Sequence, residues 1–305
     1  MTEISATRTS PLTTGVIVSG LIRSLRIKQW TKNSVVFAAL IFARQFFDAG
    51  SLLRAGLAFA IFCILASAVY LLNDVFDLPN DRVHPTKRRR PVAAGEVPPG
   101  LAATAGVALA LTGLALAWLL APAYGVIGAL YIASNLLYSA WLKKVVILDV
   151  MVISMGFVLR AVAGGIAIEV EVSEWLILCT VLLSLFLALC KRRQELTLLE
   201  NAVEHRGILK EYTVALADQM ITIVTAATLI AYFSYTLSPE IQAKLHTSNL
   251  YLTVPFVIYG LFRYLYLVHR REMGGSPTEA LFSDPPLLAS VLLWAAAAVM
   301  ILYAS

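Results

Sequence analysis

Apolar runs of roughly 17 to 25 residues recur along most of this chain, the length a helix needs to cross a bilayer. Nine are legible, at about 31–48, 52–72, 101–121, 123–142, 146–168, 174–191, 213–237, 248–268 and 285–303. Strands of a membrane barrel need only about 9–11 residues each, so runs of this length exclude a barrel. The chain is 59% hydrophobic and 14% charged, with a mean hydropathy of +0.78. The expected fold class is therefore all-α, a polytopic membrane protein of nine transmembrane helices. No short apolar segment with a small-residue cleavage site opens the chain, so no cleavable signal peptide is expected.

Orientation follows from where the 24 Lys and Arg residues fall. They crowd before the first run (Arg23, Arg26, Lys28, Lys32) and after runs two, four, six and eight; Arg44, Arg54 and Lys244 lie in the alternate loops. By the positive-inside rule the amino terminus and the even-numbered loops are cytoplasmic. The net charge of +5 is then an orientation signal with some attraction to anionic lipid, and nucleic acid is not among the expected partners. Cys63, Cys179 and Cys190 are isolated in or beside apolar runs, without zinc or disulfide spacing. Residues 1–14, rich in Ser and Thr, are expected to be disordered, and 15–305 to form one integral-membrane domain. Ile17, Leu21 and Leu25 recur at helical spacing with Arg23, Arg26 and Lys28 on another side. That pattern fits either an interfacial helix or a plain juxtamembrane basic patch.

The chemistry concentrates at the end of the second run, in NDVFDLPNDRVHPTKRRRP, residues 73–91. Asn73, Asp74, Asp77 and Asp81 are spaced so that a continuing helix carries the carboxylates on one face. Such a face suits Mg²⁺, which takes oxygen ligands and shares them with a substrate's phosphates. Lys87, Arg88, Arg89 and Arg90 follow directly and suit those phosphates. Pro79 disfavours helical geometry at Leu78, so Asp74 and Asp77 form the secure pair and Asp81 falls near or past a break.

Other polar groups punctuate the apolar runs. Lys28, Lys32 and Asn33 flank Trp30 at the first boundary, which fits membrane anchoring or a phosphate site equally. Tyr138, Trp141, Lys143 and Lys144 mark the exit of the fourth run, where an aromatic belt would look the same. Arg160 lies midway along the fifth run, about three turns beyond Asp149, and a charge at that depth must face a polar cavity or a partner. Gly164 and Gly165 after it allow close helix approach. After the sixth run comes Lys191-Arg192-Arg193-Gln194-Glu195, either topology determinants or an anion site with Glu195 orienting an arginine.

Nine runs with NDxxDxxxD at the second exit, here Asn73, Asp74, Asp77 and Asp81, resemble the UbiA superfamily of intramembrane prenyltransferases. The resemblance covers nearly the whole chain and adds the Tyr138 and Lys143 element. It implies a helical bundle with a central cavity open to the cytoplasmic side, in which two Asp motifs hold Mg²⁺ on an isoprenyl diphosphate. This chain departs at the second motif, which reads KRRQEL and has no aspartate. Together with SAVYLLNDVFDLPNDRVHPTKRRRPVAAG and VLRAVAGG, that departure is most similar to the branch called decaprenyl-phosphate phosphoribosyltransferase. Its members move 5-phosphoribose from phosphoribosyl diphosphate (PRPP) to a polyprenyl monophosphate.

The resemblance implies Mg²⁺ as cofactor, held by Asn73, Asp74, Asp77 and Asp81 on the diphosphate of PRPP. Lys87, Arg88 and Arg90 would bind donor phosphates. Lys191, Arg192 and Arg193 would hold the lipid phosphate or the donor's 5-phosphate. Arg160 would line the cavity, with Lys28, Lys32 and Asn33 at its rim. The implied partners are PRPP, polyprenyl phosphate and bilayer lipids, with a homo-oligomer left open. The implied location is a bacterial plasma membrane, with the site facing the cytoplasm and the product feeding cell-wall synthesis. Two rivals remain. A 4-hydroxybenzoate-type aromatic prenyltransferase requires a second acidic cluster; a non-enzymatic lipid transporter is expected to show internal repeats.

Overall fold

A computed structural model describes residues 13–198 and 207–304. The expected disorder of the first residues falls, up to residue 12, outside them, as do Glu200, Glu204, His205 and Arg206. Thr14 already opens the first helix. The elements are α1 (Thr14–Ser24), α2 (Ala38–Phe42), α3 (Ala49–Phe76), α4 (Leu78–Val83), α5 (Pro99–Leu120), α6 (Pro122–Ala140) and α7 (Leu148–Ala167). After them come α8 (Glu174–Leu198), α9 (Val214–Leu237), α10 (Pro239–Leu245), α11 (Val254–Arg270), α12 (Pro277–Ser283) and α13 (Pro285–Tyr303). Among the described residues no strand occurs, and eight helical stretches are long and apolar enough to cross a membrane. They are α3, α5, α6, α7, α8, α9, α11 with the 3₁₀ turn before it, and α13.

The first of the nine expected runs, 31–48, is built differently. It folds as a 3₁₀ helix over Ile27–Phe37 followed by the short α2, instead of one continuous α-helix. Arg26 pairs with Asp74, Trp30 Nε1 donates to Ser67 Oγ at 3.1 Å, and Asn33 Nδ2 donates to Cys63 Sγ at 3.3 Å. Phe37 then stacks near Phe59, and Ser51 Oγ donates to Gln45 Oε1. The segment therefore runs antiparallel to α3 along most of that helix. A 3₁₀ helix rises about 2.0 Å per residue, so its stretched geometry covers the distance in fewer residues. Irregular backbone at membrane depth is tolerated where protein covers it, and Asn33 and Val36 are fully buried between α3 and α7. Apolar content alone does not distinguish this shape from an α-helix.

Two helices form the interior of the bundle. In α3 and α7, 61% of the central apolar window is buried, against 17–33% in the other six stretches. α3 packs on α5, α6 and α7, while α7 also meets α8, which in turn packs on α9. Phe62, Leu65, Val69, Tyr124 and Tyr131 fill the first half of the core; Phe186, Ile221, Leu261 and Leu267 fill the second. The α5–α6 hairpin turns on Ala121 alone, because Pro122 pre-sets the first turn of α6. Arg263 closes the last part of the bundle with a two-pronged pair to Asp284, at 3.0 and 2.8 Å. Asp284 also caps α13 by accepting from Leu287 N.

Gly164 sets how closely the irregular segment approaches α7. A Cβ there would lie 2.1 Å from the carbonyl oxygen of Val36, a backbone atom with no room to move alone. We expect Gly164→Ala to separate the two elements and to cost about 1–3 kcal/mol, the range for overpacking a filled core. A fall of several degrees in the apparent Tm of detergent-solubilised protein is the expected result.

Candidate active site

The acidic face forms where α3 ends. Asp77 terminates the helix with φ −90° and ψ 2°, and α4 restarts at once with Pro79 in its first turn, where no backbone donor is required. Asp81 N still donates to Asp77 O at 2.8 Å, so the break at Pro79 does not carry Asp81 away. Asp74 and Asp81 are both buried, at 1% and 2% exposure. Arg90 joins them, its Nη1 lying 2.6 Å from Asp81 Oδ2 and 3.3 Å from Asp74 Oδ1. Arg26 pairs with the same Asp74 oxygen, and Lys143 pairs with Asp77. Ser139 Oγ donates to Asn73 Oδ1, tying α6 to the same corner.

A cationic region adjoins this corner. Arg160 is buried and has no carboxylate partner among the described contacts. Its Nε donates to Asn33 Oδ1 at 2.7 Å, Nη1 to Gly156 O at 2.6 Å and Nη2 to Tyr131 Oη at 2.9 Å. The rings of Tyr131, Phe157 and Phe62 surround it at 4.8, 5.5 and 5.6 Å. The charges of Lys191, Arg160 and Arg26 all act on the Lys32 ammonium. Arg26 thus belongs to both regions, paired with Asp74 on one side and close enough to Lys32 to influence it on the other.

The KRRQE stretch at the end of α8 divides its work. Arg192 is buried and pairs with the fully buried Asp149 at the start of α7, while also pairing with Glu195. Tyr212 Oη donates to Asp149 Oδ1 at 2.8 Å and accepts from Ile147 N at 2.8 Å. Burial and the bond to Asp149 push the Tyr212 phenol up to about 12, so it remains a donor at ordinary pH. Arg193 pairs with Asp218 on α9, and Gln194 bonds to Glu272 O and Gly275 N of the last loop. A Cβ at Gly274 in that loop would lie 2.8 Å from Cys190 O. Lys191 is exposed and its charge acts on Lys32, while the residues after it anchor three neighbouring elements.

Of the residues expected from sequence, Asn73, Asp74, Asp77, Asp81, Arg90 and Lys143 come together, and Lys32, Asn33, Arg160 and Lys191 gather beside them. Tyr138 and Lys87 are half-buried near this end, while Lys28 and Arg88 are exposed. Arg192, Arg193 and Glu195 are engaged by protein partners. Sequence spacing did not single out Arg26, Ser139, Tyr131, Tyr212 or Asp149's partnership with Arg192. The one available signal was the rarity of charge near apolar runs, which had marked Arg160.

Whether these residues suit a divalent ion is tested by Asp74. Its Oδ2 is buried and has no hydrogen-bond partner, an oxygen left for a ligand to use. Among the described residues no three His, Cys, Asp or Glu side chains converge on one point. That agrees with Mg²⁺ chemistry, which usually draws on one or two carboxylates and completes its shell with water and substrate phosphate. The donor set therefore fits an ion shared with a diphosphate, in place of an all-protein cage. A separate apolar cavity of about 350 Å³ lies between α1, α3 and α5, bordered by Val18, Leu21, Leu25, Leu71 and Leu109.

An acidic corner at the end of α3, the first long helix, thus faces cations from several other elements inside an all-helical membrane bundle. Residues 34–283 match the UbiA prenyltransferase family, and the chain belongs to that family. A decaprenyl-phosphate phosphoribosyltransferase of Mycolicibacterium smegmatis is 35% identical over 91% of this chain and 91% of its own. One of Corynebacterium glutamicum is 36% identical over 94% of this chain and 88% of its own. A solved structure of a UbiA homologue from Archaeoglobus fulgidus, bound to GPP and Mg²⁺, superposes with a TM-score of 0.71. It is 19% identical and covers 92% of this chain and 100% of its own, so the likeness is one of fold.

The Asp149–Arg192 pair is expected to be a stability determinant. Removing Arg192 leaves the buried Asp149 charge with only the Tyr212 hydroxyl, at a cost of about 3–5 kcal/mol, and removing Asp149 leaves Arg192 with Glu195 alone, at a smaller cost. Arg192→Met should lower the apparent Tm sharply and Asp149→Leu less so, and the double variant should lose less than the two combined. Thermal melts of the four proteins in one detergent check this.

Proposed function

We propose that this chain transfers 5-phosphoribose from PRPP to the phosphate of a polyprenyl lipid, releasing diphosphate, at the cytoplasmic face of a bacterial plasma membrane. The observation that carries the reading is the asymmetry of the site: one acidic corner at Asp74, Asp77 and Asp81, and a cationic region where a second acidic motif would hold another metal-bound diphosphate. One Mg²⁺-diphosphate position and one phosphate-binding region match a sugar diphosphate donor and a lipid monophosphate acceptor. The two relatives carrying that activity in their names support the choice over an aromatic prenyltransferase.

In this reading Asp74, whose Oδ2 has no protein partner, would hold Mg²⁺ on the donor's diphosphate, with Asn73, Asp77 and Asp81 around it and water and phosphate completing the shell. The bound ion supplies charge neutralisation for the departing diphosphate. Arg90 and Lys143, already paired with these carboxylates, lie within reach of its phosphates, with Lys87 and Arg88 nearby. Lys191, Lys32 and Arg160 bind the second phosphate group and orient it. The lipid phosphate is anionic at neutral pH, so its oxygen attacks C1 of the ribose without a general base. A C1–O bond to the lipid phosphate forms as the C1–O bond to diphosphate breaks, and the electron pair departs with the diphosphate. Attack opposite the leaving group inverts the configuration at C1. The protein contributes orientation and fixed charge, which carry most of the work in such a displacement.

Purified protein in detergent, given radiolabelled PRPP, Mg²⁺ and polyprenyl phosphate, is expected to move label into the lipid fraction. Asp74→Asn and Asp77→Asn should lower that transfer at least about a hundredfold while the protein remains folded, the scale for losing electrostatic stabilisation at a reacting centre. Prenylation of an aromatic acid with no transfer from PRPP would overturn the reading.

A further inference from the structure

Arg26 lies outside the acidic motif and the basic runs, yet it reaches the centre of the site. It stands between α1 and the 3₁₀ segment with φ 54° and ψ 51°, the left-handed region that L side chains adopt rarely. Its guanidinium pairs with Asp74 Oδ1 and lies 4.9 Å from the centre of the Tyr70 ring. Arg90 reaches the same oxygen, while Oδ2 of that carboxylate is buried without a partner.

The corner is balanced in charge. Arg26, Arg90 and Lys143 are paired with Asp74, Asp77 and Asp81. A divalent ion on these carboxylates adds two positive charges in a poorly solvated place, where like charges repel strongly. One cation of the chain must then give way or gain an anion. Arg90 bridges two carboxylates, and Lys143 pairs with Asp77 and has no recorded pair with Asp74. Arg26 engages a single carboxylate, and it does so from the junction of two helical segments.

We propose that Arg26 and the divalent ion compete for Asp74, and that the displaced guanidinium then binds the diphosphate that accompanies the ion. The proposal rests on the metal-diphosphate reading of the site above. It makes Arg26 a phosphate-binding residue with two opposed effects, weakening the bare ion and strengthening the ion-diphosphate complex. Order of binding follows from it: the ion enters preferentially already carrying its diphosphate, which offers Arg26 a new anionic partner as it leaves Asp74.

Mn²⁺ binding, read by electron paramagnetic resonance on detergent-solubilised protein, tests this without turnover. Arg26→Gln is expected to bind Mn²⁺ alone about tenfold more tightly, the scale of one neighbouring unit charge. The same variant should bind inorganic diphosphate in the presence of Mn²⁺ about tenfold more weakly, the scale of one lost charge-assisted hydrogen bond. Arg26→Lys, which keeps the charge, should stay near the wild type in both. Asp74→Asn separates the two ideas. If it binds Mn²⁺ as the wild type does, the metal site itself is overturned. If it loses Mn²⁺ while Arg26→Gln binds the ion no more tightly than wild type, the metal site stands and the exchange is overturned. Should Arg26→Gln fail to fold, phenylglyoxal labelling of Arg26 in the wild type, read by peptide mass spectrometry, decides the matter. Labelling should rise with Mn²⁺ and fall when inorganic diphosphate follows; labelling that stays constant overturns the proposal.

Discussion

Charge compensation inside an apolar bundle is the constraint on which the rest of this structure depends. Asp74, Asp81, Asp149, Arg160 and Arg192 are all buried, and an isolated charge in such a place costs several kcal/mol. The chain meets that cost in two ways. Asp74 and Asp81 share Arg90 and draw in Arg26, while Asp149 is matched by Arg192 and by the Tyr212 hydroxyl. Arg160 has no described carboxylate and relies on Asn33, Tyr131, a backbone carbonyl and three aromatic rings. Arg160 is thus a positive charge held by neutral groups among the described contacts, and the proposed reaction assigns it to the second phosphate.

The irregular first segment serves the same constraint. The 3₁₀ segment lies against α7 at Gly164 and brings Asn33, Lys32 and Arg26 to the site from one short stretch. Its protein cover makes the irregular backbone tolerable, and its closeness to α3 and α7 puts polar side chains where a lipid-facing helix would present apolar ones.

At the end of α8, the replacement of aspartates by KRRQE changes both chemistry and support. Arg192, Arg193 and Gln194 hold α7, α9 and the last loop, and Glu195 returns to Arg192. The charge of Lys191 acts on Lys32 of the 3₁₀ segment. Within this run Arg192, Arg193 and Gln194 act as fasteners, each toward a different element according to the face of α8 it occupies. The fasteners join elements far apart in the chain, since Arg192 reaches back to Asp149 and Gln194 reaches forward to Glu272.

Much of the fold was legible because the bilayer imposes length. Seven of the eight long stretches lie within a few residues of the apolar runs, and Pro122 and Pro285 mark helix starts by a rule that needs no neighbours. The acidic motif, the cationic replacement of its counterpart and the isolation of Arg160 were legible too, because a charge beside an apolar run is conspicuous. Pairing was not legible. Sequence spacing left Asp81 on either side of a break, and the tertiary structure settled its place through Arg90, which returns from nine residues further on. It also placed Arg26 on Asp74 and gave the first apolar run its 3₁₀ form. The sequence by itself determined which segments enter the membrane and which carry charge, because hydrophobic length and residue type act locally. Only the tertiary structure decided which charge meets which, because Coulomb energy in a dry interior depends on distances that no spacing along the chain records.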